Sequence, residues 1–178
     1  MEEHLANNSV EGLLLKYRHF YGSYDYIGDS RRWYRREVRI IRNDKKIRSF
    51  KDAQGFRKNG KKLQVKLVDA YMHHYGWVRH PAQQHAKVKN FNKYWHDDVY
   101  IDHHYEKLNE FDYAEINSLE KYRGTHPEIM QGRIARMNWE FNFDPSRNTY
   151  SMKERLSNWV EKISGIRPGE YRNYILLK

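Results

Sequence analysis

Residues 63–74, LQVKLVDAYMHH, alternate Leu63, Val65 and Leu67 with Gln64 and Lys66, and this period of two predicts a strand with one buried face. It is the clearest strand in the chain, and its flanks are read outward from it. Upstream, the Asn59-Gly60 turn, a short strand at 47–50, the turn at 43–46 and the strand 37–42 (EVRIIR) predict a set of short paired strands. Further back, 10–17 (VEGLLLKY) is an apolar run after Asn7-Asn8-Ser9 and predicts a buried strand. Between these, 19–36 (HFYGSYDYIGDSRRWYRR) follows neither period and predicts a long ordered loop.

Downstream the pattern turns helical after Pro81. Val88, Phe91 and Trp95 predict a helix over 82–95, and Leu108, Phe111 and Leu119 predict one over 105–122. Thr125, three residues before Glu128, resembles a capping box for a helix over 128–137 with Pro127 at its start. Ser151 with Glu154 is a second such box; it precedes the stripe Leu156, Trp159, Val160 and Ile163, and Gly165 supplies the stop. A turn at Arg167-Pro168-Gly169 and a closing strand over 171–177 complete the expectation. The fold class is α/β, mixed α+β in the part present, with short strands in 10–74 followed by C-terminal helices.

The 178 residues suit one domain, and 15 Tyr, 7 Phe and 5 Trp supply a core although 31% of the chain is charged. No apolar run approaches the ~20 residues of a membrane-spanning helix. Cysteine is absent, which excludes disulfides, thiolate zinc sites and a cysteine nucleophile. The start, Met-Glu-Glu-His, lacks the basic and apolar regions of a secretory signal, so the expected location is the cytoplasm, including the inner face of the membrane. A formal net charge of +10 favours polyanionic partners. There is no phosphate loop, G-x-S-x-G, H-E-x-x-H or dinucleotide fingerprint. The densest feature is Arg31-Arg32-Trp33-Tyr34-Arg35-Arg36, whose cations and rings suit nucleic acid, a nucleotide diphosphate or a sugar. Arg35 and Arg36 are the candidate anion binders, and the bland alternative is a solvated loop whose Trp33 and Tyr34 pack inward.

In order along the chain, HFYGSYDYI (19–27), RRWYRREVRIIRN (31–43), KDAQGFRKNGKK (51–62), HHYGWVRHP (73–81) and GIRPGEYRNY (165–174) resemble the C-terminal portion of bacterial family 2 glycosyltransferases of GT-A fold. HYGWVR is the most specific element and WYRREVRIIR the next. The resemblance implies an acceptor-side catalytic part over 1–80, without the nucleotide-binding half that carries an Asp-x-Asp-like metal motif, and a mainly helical region over 81–178 packing on it. The partners it implies are a nucleotide-sugar donor and a glycan or lipid-linked acceptor in cell-surface polysaccharide synthesis. Peripheral membrane association, self-association or a donor-domain partner would follow, and Mg²⁺ or Mn²⁺ would hold the diphosphate.

The same resemblance implies His74 as a metal or diphosphate ligand, with Trp77 and Arg79 beside it on the substrate; as the alternative, His74 is a hydrogen-bonded residue ending a strand. A carboxylate must take the acceptor proton, and Asp52 is the first candidate, Glu37 the second, and Asp25, in the loop expected to face the acceptor, a third. The second class of function is a basic nucleic-acid-binding module using 31–36, and a third is a noncatalytic remnant.

Overall fold

A computed structural model describes residues 5–51, 55–105 and 108–177, and shows a mixed α+β fold. Asp52 lies outside the described residues. The strands are β1 (Gly12–Tyr21), β2 (Tyr26–Gly28), β3 (Arg36–Ile41), β4 (Ile47–Ser49), β5 (Phe56–Lys58), β6 (Lys61–Lys62), β7 (Gln64–Trp77), β8 (Leu119–Lys121) and β9 (Ile175–Leu176). The helices are α1 (Pro81–Asn92), α2 (Asp98–Tyr105), α3 (Glu128–Ile134) and α4 (Met152–Ser164). One sheet has the order β8-β2-β1-β7-β9 with β3 also on β1, and β4-β5-β6 form a second. Glu11 N donates to Gln64 O and Gly22 N to Trp77 O, at 2.8 and 3.0 Å, so β1 and β7 run side by side in the same direction.

The chain forms two compact units that alternate along the sequence, one of residues 1–18, 34–72 and 151–178, the other of 19–33 and 73–150. In the first, β3 lies antiparallel on β1 with Lys16 opposite Arg36, and β9 lies parallel on β7 with Gln64 opposite Ile175. Leu14, Val38, Ile47, Leu63, Val65 and Tyr174 fill its core, as the alternation along 63–67 requires. Leu13 and Leu14 are consecutive yet both buried, and the β1–β3 register shifts between them, as at a β-bulge. In the second unit, β2 pairs with the end of β1 through Phe20 and Ile27, and β8 pairs with β2. Its packing is mostly aromatic, around Tyr21, Tyr113 and Leu119 on one side and Phe20, Tyr24 and Val78 on the other.

Local sequence accounts for several helix ends. Asp97 accepts from the Tyr100 backbone and opens α2, and Ser151 and Glu154 form the reciprocal capping box of α4, which Gly165 closes at φ 66°. Three expectations are corrected. The helix expected over 105–122 is α2 at 98–105; beyond it, Asp112 accepts from Ala114 N, which diverts the chain into a turn, and Tyr113, Ile116 and Leu119 are buried from irregular chain and β8. At α3 the cap is Pro127, without a side-chain cap bond, so Thr125 does not form the box. The loop expected over 19–36 contains the end of β1 and β2, because Ile27 pairs back onto Phe20 and residues 26–28 pair on their other side with β8.

Within the first unit, α4 is held by its polar side. Arg35 forks onto Glu170 with two bonds of 3.1 Å and reaches Glu161 at 2.5 Å, and Arg167 approaches Glu161 at 3.5 Å. Burial alone would raise the Glu170 carboxyl, yet the hydrogen bonds and charge of Arg35, seconded by Arg172, hold it below its ordinary value. A carboxylate lowered in the folded state contributes stability that is fully present above about pH 4.3 and is lost as pH falls through the folded value. Glu170→Gln should therefore be less stable than wild type at neutral pH and lose less further stability on acidification below about pH 4. Urea midpoints against pH test this, and parallel acid limbs would show that the clamp contributes nothing.

Candidate functional site

The ends of β1 and β7 carry similar sequences, His19-Phe20-Tyr21-Gly22 and His73-His74-Tyr75-Gly76. Because side chains alternate along a strand, each end divides its rings between two faces. On one face Phe20 stacks on Tyr75 at 4.7 Å and on His73 at 5.6 Å, while His73 Nε2 meets the Tyr122 hydroxyl at 3.1 Å. This face is packing, closed by Met130, Met137 and Trp139. Tyr75 is pushed up to about 12 by burial, and its hydroxyl meets His126 Nδ1 at 2.8 Å.

The opposite face gathers the candidate site. His19 and His74 meet edge to face with ring centres 5.2 Å apart, and Trp33 lies 5.0 Å from His19 and 6.1 Å from Tyr21. Tyr21 continues the ring chain to Trp77 at 6.1 Å and to Tyr113 at 5.3 Å. Two glycines make these approaches sterically feasible. A Cβ on Gly76 would lie 2.6 Å from His74 Cε1, and one on Gly28 would overlap the Trp33 indole, so each ring occupies space that only glycine leaves. The H-Y-G spacing thus has a physical content: His74 and Gly76 share a face, and the imidazole folds back over the glycine.

Cations border these rings. The Arg32 guanidinium lies 5.5 Å from the Trp33 ring. Lys87 Nζ lies 5.6 Å above Trp77 and donates to Gly76 O at 2.5 Å, and loss of solvent together with the Arg79 charge lowers its pKa. Tyr113 donates to Arg79 O at 3.0 Å, and burial pushes its phenol up to about 12. In the same unit a cleft of 790 Å³ has Phe111, Tyr113, Phe143, Asp112, Glu140 and Asp144 in its lining. Ring faces against C–H groups and carboxylates accepting hydroxyls are the contacts a sugar chain takes.

Of the residues expected in the site, His74, Trp77 and Arg79 join this set. Asp25 lies in the same unit, exposed, with its carboxylate near the Ser23 hydroxyl at 3.4 Å and its carbonyl accepting from Tyr122 N at 2.7 Å. Arg35, Arg36 and Glu37 belong to the other unit. Arg35 is engaged by Glu161 and Glu170, Arg36 opens β3, and Glu37 is ion-paired with Arg39, which also donates to the Tyr17 hydroxyl. Trp33 packs inward, as the bland reading of the cluster had it, whereas Tyr34 is 45% exposed beside the Tyr17 ring.

Sequence reasoning missed His19, Tyr21, Tyr113 and Lys87. The repeated His-x-Tyr-Gly at 19–22 and 73–76 was the available signal for the first two; Tyr113 and Lys87 carry none, since only tertiary packing brings them in.

Among the described residues no three His, Asp or Glu side chains converge as metal ligands. Among the described residues no carboxylate joins the His19 and His74 imidazoles as a third ligand, and imidazoles alone do not suit Mg²⁺, which takes oxygen ligands. The described residues therefore do not by themselves fit the expected Mg²⁺ or Mn²⁺.

The role of Gly76 is testable by substitution. Gly76→Ala should displace the His74 ring, moving its imidazole NMR resonances, and cost about 1–3 kcal/mol of stability through overpacking. Unmoved His74 resonances would show that the ring does not depend on this gap. No protein family, curated protein or solved structure matches this chain.

Proposed function

We propose that this chain is a glycosyltransferase, or the acceptor-side part of one, transferring a sugar from a nucleotide-sugar donor to a hydroxyl acceptor in cell-surface polysaccharide synthesis. The observation that carries the reading is the division of the two adjacent histidines. His73 goes into packing, while His74, within HYGWVR, joins His19, Trp33 and Trp77 at the carboxyl ends of two neighbouring parallel strands. Ligands of α/β sheets gather at such ends.

In this reading His74 donates a hydrogen bond to the departing diphosphate, Arg79 and Lys87 offset its growing charge, and Trp77 offers a face to the base or sugar. The aromatic and acidic cleft receives the acceptor. Of the carboxylates considered as base, Asp52 lies outside the described residues, Glu37 is engaged by Arg39, and Asp25 is exposed in the unit that holds His74. We assign the acceptor proton to Asp25.

Titration calorimetry with UDP and GDP, each with and without Mn²⁺, tests the proposal. Wild type should bind one of them, and His74→Ala should weaken that binding about tenfold or more, the scale of one charge-assisted hydrogen bond. His73→Ala should keep the affinity and instead lose about 1–2 kcal/mol of stability, with its stack and its bond to Tyr122 gone. If the Mn²⁺-dependent part of the affinity survives His74→Ala, the metal-ligand role falls. Equal loss of affinity in both variants would remove the special place of His74. Absence of nucleotide binding, with salt-dependent binding to random DNA, would replace the reading by the nucleic-acid one.

A further inference from the structure

The amphipathic helix α4 is turned outward. Met152, Leu156, Trp159 and Ile163 are 89, 64, 61 and 67% exposed, and Val160 beside them is half-buried. At 100° per residue these side chains form a single narrow stripe. Lys153 flanks it on one side and Arg155 and Lys162 on the other, all exposed. The opposite side, with Glu154, Ser157, Asn158 and Glu161, is half-buried, and Glu161 takes Arg35 and Arg167. A helix that only covered a core would sit the other way round.

We infer that α4 is a membrane-surface helix, which lays its apolar stripe into the interface of an anionic bilayer while Lys153, Arg155 and Lys162 meet lipid phosphates. Charge complementarity selects this occupant. An apolar stripe with a tryptophan, bordered by cations and with its carboxylates on the far side, matches a lipid surface in both parts. The net charge of +10 acts in the same direction. Nucleic acid would satisfy the cations and leave the stripe in water. A second copy is disfavoured by size: the stripe is five apolar side chains on a 13-residue helix, against roughly 20–30 residues per partner in a stable dimer. The inference does not depend on the glycosyl-transfer reading.

Co-sedimentation with vesicles of phosphatidylcholine, alone or mixed equally with phosphatidylglycerol, tests it. Wild type should bind the mixed vesicles and bind pure phosphatidylcholine at least about tenfold more weakly, since each Lys or Arg near an anionic surface adds on the order of 1 kcal/mol. Leu156→Ser with Ile163→Ser should reduce binding to mixed vesicles about tenfold or more. Replacing Lys153, Arg155 and Lys162 by Gln should abolish the preference for anionic lipid. Each variant should keep the wild-type circular dichroism, because the side chains changed are exposed. Should a variant unfold, tryptophan quenching by phosphatidylglycerol brominated on its acyl chains replaces it: wild type should be quenched, and Trp159→Phe much less. No binding by wild type, equal binding to both vesicle types, unchanged binding by the serine variant, or quenching undiminished in Trp159→Phe would each overturn the inference. So would loss of self-association in sedimentation velocity, without loss of vesicle binding, in the serine variant.

Discussion

Side-chain alternation along β1 and β7 is the constraint on which the rest depends. The two strands are neighbours and run in the same direction, and a displacement of one residue would exchange the faces of His73 and His74. In that register Phe20, His73 and Tyr75 form packing, while His19 and Tyr21 meet Trp33 and His74 meets His19. Gly28 and Gly76 are consequences of the same arrangement, since each supplies the room a large ring needs next to the backbone.

Polar anchoring has a comparable role at the other end of the chain. Arg35 meets carboxylates 126 and 135 residues away, and the half-buried network of Arg35, Glu161, Glu170 and Arg167 sets the rotation of α4 about its axis. Half-buried charges tied by forked hydrogen bonds are costly to separate, because each partner left behind is a poorly solvated ion. One arginine of the basic cluster thus acts as a clamp, and the stripe faces solvent.

The chemistry proposed for the second unit follows from placing rings, imidazoles and cations together with a sugar-compatible cleft. The convergent oxygen ligands of a metal centre are not among the described residues. No helix of the described residues is long and apolar enough to cross a membrane.

The sequence by itself determined the elements whose information is local. The alternation at 63–67 specified β7, the reciprocal Ser151 and Glu154 box with Gly165 specified both ends of α4, and the apolar run at 10–17 specified a buried β1. It also marked His74, Trp77 and Arg79 through one compact motif. It failed where distant partners outweigh local preference: Leu119 has helical spacing to Phe111 and Leu108 but pairs with Gly28 in β8, and Asp112 closes a turn that periodicity does not register. Tertiary structure alone decided that His19 meets His74, that Arg35 is engaged by two carboxylates, and that α4 shows its apolar side to solvent. The physical reason is the same in each case: periodicity says which residues share a face, but which face is buried depends on partners that the fold brings from far along the chain.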